Sequence, residues 1–175
     1  MAGTLNYGLH YGRAPDTARF IGYCDNDLAG DVDTSKSTTG TMFFLGDCLV
    51  SWQSLKQKVV ALSSCKAEYI ATTTAATQAL WLSWRKVDVV ELKADSKSAL
   101  ALAKNPVFHE RSKHIRNKYH FIRDCLEDRS IKANHIATTD QLANILTKSL
   151  GKSKFQEMRE RIGLQQITSS ARHKA

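Results

Sequence analysis

No apolar run in these 175 residues approaches the ~20 that a membrane span requires. The first stretch, MAGTLNYGLHYGR, has no secretory hydrophobic core. The four cysteines (Cys24, Cys48, Cys65 and Cys125) are scattered and form no C-x-x-C pair, which argues against a zinc site or a disulfide framework. Buried structural thiols are the simple reading. There is no internal repeat and no interdomain linker. These absences lead to the expectation of an intracellular protein, cytoplasmic or nuclear and not secreted, kept in a reducing compartment.

What remains suits one soluble globular domain. The length is enough for a real core, and 42% hydrophobic with 8% aromatic content is ordinary. A net charge of +8 and a pI near 9.4 favour a polyanionic partner. Its distribution says more, because Arg111, Lys113, His114, Arg116, Lys118, His120 and Arg123 crowd one short stretch.

Residues 1–17 give no firm element. Residues 18–25 (ARFIGYCD) read as a strand with Ile21, Tyr23 and Asp25 on one face. A turn-rich segment, 30–40, leads to strands over 41–45 and 49–53, joined at Gly46-Asp47, so an antiparallel meander is expected. A long helix follows over 62–84, capped by Ser63 or Ser64. Glu68 shares a face with the small residues Ser64, Cys65, Ala71, Thr72 and Ala75, which lets that face approach a sheet closely. Residues 89–95 are a fourth strand ending in Asp95, and 96–104 a short helix stopped by Asn105-Pro106. Ile115, Tyr119, Ile122 and Leu126 form the apolar stripe of a helix over 113–127. A fifth strand covers 131–136. Thr138-Thr139-Asp140-Gln141 resembles a capping box opening a helix through Lys148, and 155–162 is a last amphipathic helix before a polar tail. The order predicts an α/β fold, a mixed five-stranded sheet with helices on both faces.

Asp25, Glu68 and Asp95 end or interrupt apolar segments in the order strand, helix, strand. Carboxylates beside a core need a cation to offset their desolvation, so three converging on one sheet edge suggest a divalent-metal site. Where the pattern would place a fourth carboxylate, the chain has Asn144.

The stretches GYCDNDLAGDVDTSKSTTGTMFFLG, VSWQSLKQKVVALSSCKAEYIA, KADSKSALALAKNPVFHERSKHI, KYHFIR and DQLANILTK resemble the ribonuclease H domain of copia-type retrotransposon Pol polyproteins, in order and over about 5–164. The resemblance implies a ribonuclease H-like fold over 18–164. Residues 1–17 would be the remnant of a segment connecting it to reverse transcriptase, and 165–175 a polar tail. It also implies hydrolysis of the RNA strand of RNA–DNA hybrids with two magnesium ions, for which manganese can substitute. Asp25 matches the family's first-strand Asp, Glu68 the Glu of its ALSSxEAEY helix, Asp95 its fourth-strand Asp, and Asn144 the acid of a QLADxLTK-like motif. Two ions ~3.5–4 Å apart activate a water and stabilise the departing oxygen, so positioning and charge do most of the work. Nucleic acid, and the reverse transcriptase of a parent polyprotein, are the implied partners.

Asn144 ligates through a neutral carbonyl oxygen, so the expected activity is reduced. The competing expectation is a module that grips hybrid without cutting it. An integrase relative is disfavoured because Glu68 precedes the fourth strand. Asp140, four residues before Asn144, is a candidate to lend its carboxylate as a metal ligand; the plainer reading is an acid favouring the first turn of its helix. Lys66 and Arg116 stand where the family usually carries acids. Lys113, Arg116, Lys118 and Arg123 are candidate phosphate contacts, against a solvated basic face. His109 and His135 read as structural or surface residues rather than proton shuttles. Trp52 reads as core, and Asp27, Asp31 and Asp33 as solvated hairpin acids rather than a calcium loop.

Overall fold

The computed structural model describes residues 6–12, 18–83, 89–104 and 121–167. Along the chain come β1 (Tyr7–Leu9), β2 (Phe20–Asp27), β3 (Thr38–Leu45), β4 (Cys48–Lys56), α1 (Ser64–Ser83), β5 (Val90–Ala94), α2 (Lys97–Lys104), α3 (Phe121–Glu127) and β6 (Ile131–His135). Two short 3-10 turns (Thr138–Asp140 and Leu142–Leu146), α4 (Lys152–Arg161) and β7 (Leu164–Gln166) complete it. The main sheet has the order β4-β3-β2-β5-β6. Pairing is antiparallel where turns connect strands (β2–β3–β4) and parallel where helices cross over (β2–β5–β6). The tight β3–β4 turn uses Gly46 at φ 59°, a left-handed value that glycine adopts without a Cβ clash. The α/β class and the five-stranded mixed sheet are as the element order predicts.

The helix α1 starts where Ser63 accepts the backbone N–H of Lys66 on its hydroxyl (3.3 Å). Ala67, Ala71, Ala75, Ala76 and Ala79 are fully buried, and this small-residue stripe lets α1 lie close on the sheet. The core on that side joins Phe20, Phe43 and Leu92 of the sheet to Ile70 of α1, Leu100 of α2 and Ile122 of α3. Thr72, Thr73, Thr74 and Thr77 return their hydroxyls to carbonyls one turn earlier, so a polar stripe is accommodated inside the helix. On the opposite face Met42, Phe44 and Leu49 meet Leu142 and Ile162, with Leu9, Tyr23 and Leu164 packed against them. Alternation along β3, with Phe43 to one side and Met42 and Phe44 to the other, divides the two cores.

Three expectations change. Residues 138–148 are not one helix: Gln141 sits between the two 3-10 turns at φ −71°, ψ 98°, an extended conformation. Its fully buried side chain donates from Nε2 to the Cys24 carbonyl (2.8 Å), so the apparent capping-box residue is spent on tying the chain to β2. Residues 1–17 do contain an element, because β1 pairs antiparallel with β7 (Tyr7↔Gln166, Leu9↔Leu164), which itself lies in the stretch read as a tail. Strands of three residues are too short for periodicity to reveal. Trp52 is 53% exposed on the edge strand β4 rather than core. Of the helix expected over 113–127, the part within the described residues is α3. All four thiols are free, with Cys24 and Cys125 buried.

Gly40 of β3 pairs with Asp25 of β2. A Cβ there would lie 2.8 Å from the Thr147 methyl and 3.0 Å from the Ala143 carbonyl oxygen and the Leu146 Cβ. This missing side chain therefore lets the second 3-10 turn close over Asp25. Gly40→Ala is expected to destabilise the protein by about 1–3 kcal/mol, read as a lowered urea midpoint at unchanged slope.

Candidate active site

The parallel register of β2 with β5 (Ile21↔Glu91 to Tyr23↔Lys93) carries Asp25 and Asp95 to the same end of neighbouring strands. Glu68, on the second turn of α1, reaches that end from the helical layer. Ligand oxygens of Asp25, Glu68 and Asp95 lie within 4.8 Å of one another. The structure thus brings together the three acids singled out in the sequence.

Their environment is costly for charge. Asp25 has 0% exposure and Glu68 8%. Burial, then the charges of Asp25 and Asp95, push the Glu68 carboxyl up to about 8, only partly countered by Lys148 and the Asn26 backbone amide. Burial likewise raises Asp25, and Asp95 adds to it, while hydrogen bonds from Thr147 and Lys148 and the Lys148 charge pull it back. Oε2 of Glu68 is buried and has no hydrogen-bond partner among the described residues. A buried, unpartnered carboxylate oxygen among like charges is what a hard divalent cation would satisfy, so the donor set fits such an ion.

Asn144 lies beside this group, on the second 3-10 turn. Its Nδ2 donates to the Thr138 carbonyl (2.9 Å), which leaves Oδ1 facing the site. Lys148 Nζ donates both to that Oδ1 (2.7 Å) and to Asp25 Oδ1 (2.9 Å). Thr147 donates its hydroxyl to the other Asp25 oxygen. The sequence reading missed Lys148 and Thr147 as site residues. The available signal was a cation four residues after Asn144 inside DQLANILTK.

Asp140 does not join the cluster. It is exposed and pairs with Arg161 (3.3 Å), because extended Gln141 removes the shared helical face that would have aligned it with Asn144. Arg123 is buried in the helical layer and donates to the Leu102 carbonyl (3.0 Å), so it does not present its charge to a phosphate. Lys113, Arg116, Lys118 and His109 lie outside the described residues. His135 stands at the rim, its Nε2 3.2 Å from the Asp95 carbonyl oxygen. In the hairpin Asp31 pairs with Lys56 (2.6 Å) and accepts the Thr34 hydroxyl, while Asp27 accepts the Thr38 backbone N–H.

No protein-family model matches the chain. A retrovirus-related Pol polyprotein from transposon TNT 1-94 of Nicotiana tabacum is 42% identical over 151 residues, 82% of this chain. Another, from transposon RE1 of Arabidopsis thaliana, is 37% identical over 177 residues, 97% of this chain. Its homologues are Pol polyproteins of copia-type transposons. The chain spans only 11% and 12% of the length of those two polyproteins. Among solved structures, an N-terminal RNase H domain from Mycobacterium tuberculosis superposes with a TM-score of 0.54 at 11% identity, covering 82% of this chain and 98% of that one. LC11-RNase H1 in complex with an RNA/DNA hybrid gives 0.52 at 18% identity, covering 70% and 88%. The fold is that of ribonuclease H, and fold and homologues together support a nuclease of the RNase H type.

Two outcomes follow from this geometry. Glu68 has a folded-state value near 8 against an ordinary 4.5, so between those limits the native state holds more protons than the unfolded chain. Its contribution is favourable below about pH 4.5 and is lost as pH rises through about 8. In chelator, the melting temperature should fall across that window, and Glu68→Gln should flatten the slope in a series of thermal melts. Arg123→Ala should cost about 1–3 kcal/mol of stability by leaving buried acceptors without a donor, measurable by urea unfolding.

Proposed function

We propose that this chain is a divalent-metal-dependent ribonuclease H domain that cuts the RNA strand of RNA–DNA hybrids, with activity lowered by Asn144. The observation that carries the reading is the meeting of Asp25, Glu68 and Asp95 within 4.8 Å, with one Glu68 oxygen buried and unpartnered. Magnesium or manganese ions bound there would supply an activated water and charge for the departing oxygen. The chain's own part is positional. β2 and β5 fix two of the ligands, α1 delivers the third, and the turn over Gly40 holds Asn144 Oδ1 beside them. Backbone rigidity at the sheet end keeps the oxygens close despite their repulsion, which favours a cation over any neutral occupant.

Charge supports a nucleic-acid substrate, since a chain at +8 attracts a polyanion and Lys113, Arg116 and Lys118 would make backbone contacts without reading sequence. The hybrid bound by LC11-RNase H1 supports the choice of substrate. Homology to transposon Pol polyproteins supports action inside the cell beside the reverse transcriptase of the same polyprotein.

One observation favours a second reading, a module that binds hybrid without cutting. Asn144 supplies no negative charge, and a lysine already sits between it and Asp25. A labelled RNA–DNA hybrid with magnesium decides between the two. The wild type is expected to cleave the RNA strand slowly, Asn144→Asp to raise the rate about tenfold, equivalent to ~1.4 kcal/mol of barrier, and Asp25→Asn to abolish it. Cleavage by Asn144→Asp alone would leave the binding reading standing, and cleavage surviving Asp25→Asn would sink the site assignment.

A further inference from the structure

The pairing of β2 with β5 stops two residues short of both acids it presents. Its last registered pair is Tyr23↔Lys93, while β2 stays paired with β3 to Asp27↔Thr38 and β5 with β6 to Ala94↔His135. At the level of Asp25 and Asp95 the two strands are therefore held on their outer sides, and the seam between them has no registered backbone pairing. Gln141 fills that seam. Its side chain is fully buried, and Nε2 donates to the Cys24 carbonyl of β2 (2.8 Å) and to the Lys93 carbonyl of β5 (3.4 Å). One amide thus spends a hydrogen on each strand. Oε1 accepts the Ala143 backbone N–H (3.3 Å), which fixes the end of the amide that faces the strands. The Cys24 thiol lies 3.8 Å from the same Lys93 carbonyl, but a thiol is a weak donor and does not replace the amide.

We propose that Gln141 is a positioning residue that sets the gap between Asp25 and Asp95, and so selects a magnesium-sized ion over calcium. The inference rests on the metal-dependent reading above. Cys24 immediately precedes Asp25, and Lys93 lies just before Ala94 and Asp95, so the bridge acts on the backbone that carries both carboxylates. Removing the donor would leave two buried carbonyl oxygens unpaired beneath two acids that repel each other, and the strand ends would move apart. Magnesium takes its oxygens at about 2.0–2.1 Å in a near-octahedral set, whereas calcium takes about six to eight at about 2.3–2.6 Å in looser geometries. A tied seam favours the first ion, and a wider, softer one the second. Glu68 arrives from α1 and stands off the seam, so the bridge tunes the two strand acids relative to it.

Ion preference is the readout, because loss of any buried hydrogen bond would lower the melting temperature. Manganese bound to the purified chain is followed by electron paramagnetic resonance while magnesium or calcium is added as competitor. The wild type is expected to release manganese to magnesium at about a tenth of the calcium concentration needed. Gln141→Met keeps the length and loses the donor, and Gln141→Asn keeps the amide but is too short to span the seam. Each should cut the preference for magnesium about tenfold. Thermal unfolding shows which variants stay folded, and either one carries the comparison. Loss of folding in both would mark Gln141 as a structural residue and overturn the positioning role. A wild type that yields manganese equally to both ions, or a folded variant with wild-type preference, overturns it too and leaves the three-acid site standing. Unchanged manganese binding by Asp25→Asn would instead remove the site itself, and both readings with it.

Discussion

Negative charge gathered at one end of β2 and β5 is the constraint to which the rest of this molecule answers. Asp25 is fully enclosed, and Glu68 and Asp95 face it within a few ångströms. Left alone, such a group would take up protons or pull the strand ends apart. The neighbouring architecture supplies compensation from several directions. Gly40 opens space for the second 3-10 turn, that turn brings Thr147 and Lys148 onto the two Asp25 oxygens, and Gln141 locks the turn to the Cys24 carbonyl next door. The break in what would have been a helix over 138–148 is thus part of the site's support. A regular helix there would have kept Gln141 off β2.

Much of this was legible in the sequence, for reasons that differ by element. The strands around Asp25 and Asp95 announce themselves because burial alternates residue by residue along them, and α1 because alanines recur on a face that must lie close to a sheet. Parallel neighbours joined by helices then bring the two strand-ending acids to one edge, so topology alone predicts their meeting. Lys148 was not legible. A lysine near a helix C-terminus is ordinarily solvated, and its approach to Asp25 depends on the 3-10 geometry and on Gly40, neither of which has a periodic signature. Arg123 failed for a related reason. Its neighbours in sequence are basic, which suggested a charged face, yet its position on α3 turns it inward toward the Leu102 carbonyl. Trp52 erred in the opposite direction: it pairs with buried Met42 on the second core's face, but β4 is the edge strand and that core does not extend over it, so the ring stays 53% exposed.

The two kinds of likeness carry different weight. Solved RNase H structures share 11–18% of residues with this chain, so agreement with them speaks for the path of the backbone. The polyprotein homologues, at 37–42%, speak for descent. Neither decides what Asn144 does, because a fold holds a side chain in place whatever its charge. That question belongs to local electrostatics.

There the physical argument has a definite direction. Each carboxylate added to the cluster raises the cost of the metal-free state, and each one removed lowers it. An Asn of nearly the same shape keeps the packing against the 3-10 turn, satisfies the Thr138 carbonyl, and still offers an oxygen. It therefore relieves repulsion without disturbing the fold, at the expense of charge available for a second ion. Asp25, Glu68 and Asp95 show no such relief, since burial and mutual repulsion raise the proton affinity of both Asp25 and Glu68. A chain shaped only for stability would gain by replacing those first. Their retention beside Asn144 accords with the cation site proposed above, because only a cation offsets the repulsion that these three acids keep.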